Sequence, residues 1–185
     1  MKGITHAAVG ANAVWIPVLL GLTTAPWLVV VAAFVALLPD LDASESMAKH
    51  LRVGGKIGGV NVGIEPLAPV AMVTSGIFGH RGLLHSLLLM AILSCGAFLF
   101  LKQSLSFVLV IIFSYASHII IDMLTKSGVE LFWPIRTRVG LLPKFFRVKT
   151  GGITDTVLLI IACGGVLAFL YSSLNEYQIH NILSF

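Results

Sequence analysis

Charged residues are scarce in this sequence. They make up 11% of its 185 residues, whereas 57% of the residues are hydrophobic and the mean hydropathy is +0.99. A soluble domain usually carries about 25% charged residues, and a disordered or collagen-like chain has few apolar ones. This composition excludes those classes and indicates an integral membrane protein.

Cysteine is almost absent as well. Cys95 and Cys163 both lie inside apolar runs, where we expect small buried hydrophobic side chains and no disulfide. The sequence also lacks a Gly-rich nucleotide-binding loop, a His-Glu-x-x-His helix and a Gly-x-Ser-x-Gly elbow. These absences exclude several common enzyme classes.

Five apolar segments, bounded by Pro, Gly or charged residues, are the main feature that is present. They predict an all-α fold, a polytopic membrane bundle that forms a single transmembrane domain over residues 1–185. The segment 27–39 is short for a full span and could instead re-enter, and a sixth apolar patch at 66–78 is predicted to be interfacial or re-entrant. The five segments cover residues 4–22, 27–39, 83–101, 105–125 and 153–174.

The placement of basic residues predicts the orientation of these segments. If they alternate across the membrane, eleven of the twelve Lys and Arg residues lie on one face, and Lys102 alone lies opposite. Cytoplasmic loops collect Lys and Arg, so we predict a multi-pass protein of the bacterial inner membrane with a cytoplasmic N-terminus. The basic loop 126–152 is then expected to contact anionic lipid headgroups, and nucleic acid is not an expected partner.

Ionisable residues inside apolar segments need partners, because an isolated charge there is costly. His118 and Asp122 are four residues apart, which places imidazole and carboxylate on one face of a helix. A hydrogen-bonded pair between packed helices is an alternative to a metal site for these two residues.

Other polar residues flank the apolar segments. His80 and His85 surround Arg81 at the start of the third segment, where an ion could bind or the side chains could anchor the helix to headgroups. Asp40 and Asp42 follow the second segment and can converge on a cation if the chain turns there.

Alternation brings most of these residues to one side of the membrane. Mixed imidazole and carboxylate ligands suit Zn, Mn or Fe, and the set is large enough for one or two divalent ions. For Asp155 a helix cap or salt bridge is an equally good expectation. The predicted metal ligands are His6, Asp40, His80, His85, His118, Asp122 and Asp155.

Taken together, the motifs resemble a known family. Thr5-His6, Leu38-Pro39-Asp40-Leu41-Asp42, His80-Arg81-Gly82-x-x-His85-Ser86 and Ser117-His118-x-x-x-Asp122-x-x-Thr125, with Trp133-Pro134 downstream, are similar to motifs of the YdjM-type inner-membrane proteins. That resemblance implies a bacterial inner-membrane protein and a metal-dependent hydrolase. A LexA-binding label is attached to part of the family.

The leading functional hypothesis is a membrane-embedded metallohydrolase that cleaves a phosphoester of a lipid or lipid-linked substrate at the cytoplasmic headgroup level. Asp42 is predicted either to orient the attacking water or to complete the metal's ligand set, and Arg81 with Arg136 or Arg138 to neutralise phosphate oxygens. The alternatives are an ion or proton-coupled transporter that uses the His and Asp residues, and a non-catalytic membrane adaptor. The sequence does not predict the oligomeric state.

Overall fold

The computed structural model describes residues 1–42, 53–57, 60–64, 83–100 and 104–183. Within this part of the chain, side chains are described for residues 1–40, 83–99 and 104–175. The predicted all-α class is confirmed, because helices form the whole packed bundle. These helices are α1 (Gly3–Ala11), α2 (Trp15–Leu19), α3 (Leu28–Val35), α4 (Leu87–Phe100), α5 (Leu105–Met123) and α6 (Ile153–Leu183).

Short 3-10 turns connect or flank several helices. The turn Asn12–Val14 joins α1 to α2, so one helical stretch fills most of the first apolar segment. The turn Leu38–Asp42 follows α3, and the turn Leu83–His85 precedes α4. The third apolar segment therefore becomes a regular helix only at Leu87. The apolar patch at 66–78 lies outside the described residues.

A small antiparallel hairpin departs from the predicted all-α fold, which included no strands between the second and third apolar segments. Strand β1 (Val53–Ile57) pairs with β2 (Val60–Ile64), with Val53 opposite Ile64. Val and Ile, which occupy the ends of both strands, favour extended backbone.

Helix α5 is the central element of the bundle, since it packs against α1, α3 and α4. It and the first 23 residues of α6 are long and apolar enough to span a membrane. Two apolar clusters surround α5. The first contains Ala13, Val14, Leu28, Ala32, Val110 and Phe169, and the second contains Val35, Tyr115, Ile119, Met123 and Val129.

Gly10 lets three helices approach closely beside the polar residues. A Cβ atom at this position would lie 2.2 Å from the Cβ atom of Ala36 and 2.9 Å from Oγ of Ser114. Small residues at helix crossings allow such close packing in membrane proteins. The crossing of α1 with α3 and α5 at Gly10 brings His6, one turn earlier on α1, against α5.

Two polar side chains, at the end of α1 and in α2, form hydrogen bonds to α6. Asn12 Nδ2 donates to the carbonyl of Ala162 at 2.9 Å, and Trp15 Nε1 donates to the carbonyl of Gly165 at 3.1 Å. Hydrogen bonds between helices stabilise apolar bundles where water is absent. The outer surface of α6 is exposed, including Cys163, and Cys95 on α4 is exposed too. The expectation that both cysteines are buried was wrong, because hydropathy does not distinguish a helix face in the core from an outward one.

Candidate metal centre

His118 and Asp122 occupy the last two turns of α5, and both side chains are completely buried. His118 Nδ1 lies 2.6 Å from the carbonyl oxygen of Ala36, which follows the end of α3. A carbonyl only accepts hydrogen bonds, so Nδ1 carries the proton and the lone pair is on Nε2. This contact orients His118 Nε2 as a ligand atom.

His85 is presented by a turn rather than by a helix. It ends the turn Leu83–His85, and the Tyr115 hydroxyl of α5 donates to the carbonyl of Leu84 in that turn. Ser86 Oγ accepts from the amide of Leu89 at 3.2 Å, so the Ser86 side chain caps the start of α4. These contacts fix the buried His85 ring against α5.

Asp40 comes from the turn that follows α3. Its side chain is 18% exposed, whereas those of His85 and Asp122 are 0% exposed. Asp40 is therefore the side of the cluster that solvent or a substrate can reach.

These four residues, which we call the four-residue cluster, bring one ligand atom each within 4.8 Å of one another: Asp40, His85, His118 and Asp122. The Nε2 atoms of His85 and His118 are 3.3 Å apart. Asp122 Oδ2 lies 3.5 Å from His85 Nε2 and 3.8 Å from His118 Nε2. Asp40 Oδ1 lies 3.9 Å and 3.7 Å from the same two nitrogens.

The cluster passes a geometric test for a small cation. Ligand atoms about 2.0–2.1 Å from a tetrahedral Zn²⁺ are about 3.3–3.4 Å from each other. The five separations given above, between 3.3 and 3.9 Å, are close to this value, and the two carboxylates also offer ligand atoms within 4.8 Å of each other. Two carboxylates also match the charge of one divalent ion, and the cluster could therefore bind a metal ion.

His6 lies beside the cluster and outside it. Its ring stacks on His118 with centroids 3.9 Å apart, and its Nε2 lies 3.2 Å from Asp122 Oδ1. The Met1 nitrogen approaches the same oxygen at 3.0 Å. The two oxygens of Asp122 therefore face different groups, Oδ1 towards α1 and Oδ2 towards the histidines of the cluster.

Asp155 was predicted as a ligand, but it is not part of the four-residue cluster. Its Oδ2 accepts from the amide of Gly151 at 2.8 Å and from the amide of Lys2 at 3.2 Å. Lys2 precedes the first residue of α1, so one carboxylate caps the beginnings of α1 and α6 together. The structure thus gives Asp155 the capping role that the sequence left open.

The predicted arginines of the basic loop are not in contact with the cluster residues in any described ion pair. Arg136 and Arg138 are exposed, and Arg138 Nε lies 3.7 Å from Glu130. His80, Arg81 and the side chain of Asp42 lie outside the described residues, so their predicted roles stay predictions.

Sequence reasoning missed two groups that orient the histidines, namely the Tyr115 hydroxyl and the Ala36 carbonyl. Tyr115 lies three residues before His118, and this spacing on one helix face was a usable signal. Ala36 gave no signal, since the group involved is a backbone carbonyl left without a helical partner at the end of α3.

Comparison with known proteins supports the sequence resemblance. The model of the YdjM inner membrane protein family matches residues 1–182. Inner membrane protein YdjM of Escherichia coli K12 and its Shigella flexneri counterpart are each 34% identical over 122 residues, covering 62% of this chain. The match spans 54% of the length of each.

A third relative, the uncharacterized protein YvsG of Bacillus subtilis, is 32% identical over 125 residues, 67% of this chain and 66% of its own length. This chain therefore spans about half the length of the two curated YdjM relatives. No solved structure matches.

Proposed function

The chain belongs to the YdjM inner membrane protein family, and we propose that it is a metal-dependent hydrolase whose centre is the four-residue cluster. The substrate we propose is a phosphoester of a lipid or lipid-linked molecule. The membrane association of the family supports a substrate of this kind, because the cluster lies at the end of a helix that is apolar enough to span a membrane.

One observation carries this proposal, namely that four ligand atoms from three separate parts of the chain lie within 4.8 Å of one another. A simple His–Asp hydrogen bond would need only His118 and Asp122. The structure instead adds His85 and Asp40, and it orients His118 Nε2 towards them. Convergence of two imidazoles and two carboxylates favours Zn, Mn or Fe over Mg or Ca.

Each residue of the cluster has a proposed role in binding the ion. His85 and His118 would bind one or two ions through Nε2, and Asp40 and Asp122 through carboxylate oxygens. A bound divalent ion supplies Lewis acidity, which lowers the pKa of water and polarises the bond to be cleaved. Asp40, the most exposed of the four, marks the side on which water and the substrate phosphate would arrive.

The loop 126–152 is the surface that we propose to meet anionic lipid headgroups. Lys144, Arg136 and Arg138 are exposed there, and so are Phe145 and Phe146, which are 91% and 67% exposed. Basic and aromatic side chains together are typical of a membrane–water interface. The loop follows α5 directly, so lipids bound to it would be close to the end of the bundle that carries the cluster.

We also propose a multi-pass arrangement with the N-terminus in the cytoplasm. The test is labelling of Gln103→Cys and Gln178→Cys, each in a Cys95→Ser/Cys163→Ser background, with an impermeant maleimide in intact cells. Labelling from outside at both positions supports the orientation. Labelling only after the cells are opened would reject it.

The metal centre is tested first by elemental analysis of protein purified in mild detergent without added metal. We expect about one or two equivalents of Zn, Mn or Fe in the wild type and less than about 0.1 equivalent in the His118→Ala/Asp122→Ala variant, since ligands are lost. Glu130→Gln is the matched control, because it removes a carboxylate outside the cluster. No stoichiometric metal in the wild type, even after supplementation, would reject the proposal.

Hydrolysis is tested separately, by release of inorganic phosphate from lipid phosphates in mixed micelles, with and without a chelator. His85→Ala and Asp122→Ala should each abolish a chelator-sensitive activity, and the double variant should be no worse than either single one. Additive partial losses would show that the two residues do not act as one unit. Transport by the protein that is insensitive to chelation would instead favour a transporter.

A further inference from the structure

His6 is a buried side chain that lies against the four-residue cluster without belonging to it, beside the Met1 nitrogen, which contacts the same oxygen of Asp122. Its side chain is 1% exposed, and it stacks on the His118 ring at an interplanar angle of 22°. The close crossing of α1 with α3 and α5 at Gly10 allows the His6 ring to approach α5. From the sequence, His6 is predicted as a metal ligand together with His85 and His118, with a hydrogen bond across a helix contact as the alternative, and in the structure its position differs from theirs.

The difference lies in which oxygen of Asp122 each histidine faces. His6 Nε2 is 3.2 Å from Oδ1, whereas His85 and His118 contact Oδ2 through their Nε2 atoms. A carboxylate oxygen and an imidazole nitrogen at this separation attract each other when the nitrogen carries a proton. His6 Nε2 makes this contact on the Oδ1 side and lies outside the group of ligand atoms that converge on the proposed cation site.

We infer that His6 is a positioning residue: it holds Asp122 through Oδ1 so that Oδ2 faces the cation proposed above. This inference rests on the proposed metal centre and assigns the residue that orients one of its ligands. Hydrogen bonds to the outer atom of a ligand fix its orientation, and their loss costs 10- to 100-fold in metal affinity in related sites, roughly. Stacking on His118 restricts the orientation of the His6 ring, since the two ring planes are nearly parallel.

The experiment uses Co²⁺ as the probe with the full chain in detergent. Visible absorption reports the coordination of the ion, and titration gives the stoichiometry and the dissociation constant. The variants are His6→Ala and His6→Gln, the second of which keeps an N–H donor of similar reach. Thermal unfolding without metal shows whether each variant is folded. If His6→Ala is not folded, the metal affinity of His6→Gln tests the role of His6.

A positioning role predicts that His6→Ala keeps the wild-type stoichiometry and the shape of the Co²⁺ spectrum but weakens binding about 10- to 100-fold. His6→Gln should recover most of that affinity. A ligand role predicts the opposite pattern, with one equivalent lost or a changed spectrum in both variants, and this result would overturn the inference. So would a dissociation constant for His6→Ala within about twofold of the wild type, given the size of effect expected.

The same titration separates this inference from the proposal beneath it. A wild type that binds no Co²⁺ overturns both. A wild type that binds Co²⁺ with the predicted His6 effects but hydrolyses no phosphoester leaves the role of His6 supported and rejects the hydrolase.

Discussion

The two long helices α5 and α6 have nearly the same hydropathy and very different surroundings. The apolar windows of α5 and α6 have mean hydropathies of 2.0 and 2.3. Yet 50% of the α5 window is buried inside the protein, against 11% of the α6 window. Mean hydropathy reports that a helix avoids water, but it does not report whether protein or lipid replaces the water.

Polar residues make the distinction that hydropathy cannot. Helix α5 carries Ser114, Tyr115, His118 and Asp122, all of them buried, whereas the buried polar residue of α6 among the described side chains is Asp155, in its first turn. A polar side chain in an apolar helix needs a protein partner, so it marks the face that packs. Buried polar residues therefore identify α5 as the helix that organises the site.

The largest expected effect compares one isoleucine on each helix. Ile119 of α5 is 3% exposed, and Ile160 of α6 is 66% exposed. Ile119→Ala should lower the free energy of unfolding by about 2–5 kcal/mol, because it leaves a cavity in the second apolar cluster. Ile160→Ala should change it by less than about 0.5 kcal/mol.

Unfolding in mixed micelles with increasing SDS measures both variants. Equal losses would contradict the comparison, since they would mean that the outer face of α6 is also packed by protein, for example in an oligomer.

A smaller effect is expected from two adjacent glycines of α6. A Cβ atom on Gly165 would lie 2.2 Å from Oδ1 of Asn12. A Cβ atom on Gly164 would have no other atom within 4 Å. Gly165→Ala should therefore cost about 1–3 kcal/mol through overpacking. Gly164→Ala is the matched control and should raise stability by about 0.5–1 kcal/mol, because Ala is the better helix former and its Cβ atom would meet no other atom. The same unfolding assay checks both, and a Gly165→Ala variant as stable as Gly164→Ala would contradict the predicted overpacking against Asn12.

The smallest effect concerns the hydrogen bond between α1 and α6. Asn12→Ala removes the donor to the Ala162 carbonyl and should cost about 0.6 kcal/mol, and at most about 1.7, as for other hydrogen bonds within membranes. Ser172→Ala is the control, because its hydroxyl bonds only carbonyls of its own helix among the described contacts. A larger loss for Ser172→Ala than for Asn12→Ala would contradict the assigned contact.

The sequence predicted the helical class, and each α-helix in the described part of the chain begins within or next to one of the five apolar segments, because long apolar runs have few other structures available in a membrane. It also placed His118 and Asp122 on one face, since helical spacing determines that. It ended α6 at residue 174, although the helix continues to Leu183. Hydropathy marks the apolar part of a helix, and the polar residues that follow are equally able to be helical.

Distances between elements could not be predicted in the same way. Asp40 and His85 lie in turns whose backbone is set by tertiary contacts, among them the Tyr115 bond to Leu84. The different contacts of the two Asp122 oxygens depend on how closely α1 crosses α5, and Gly10 allows that close crossing. The hairpin at 53–57 and 60–64 was missed because its glycines indicate a loop as readily as a strand pair.

The chain order of these contacts has a consequence for how the protein is made. All four residues of the cluster precede residue 123, whereas the 31 residues of α6 are synthesised afterwards. Helices α1, α3, α4 and α5 can therefore bring the four residues of the cluster together while the ribosome is still translating α6. When α6 emerges, Asp155 joins the start of α1, and Asn12 then binds Ala162, so that the last helix closes a site that is already complete.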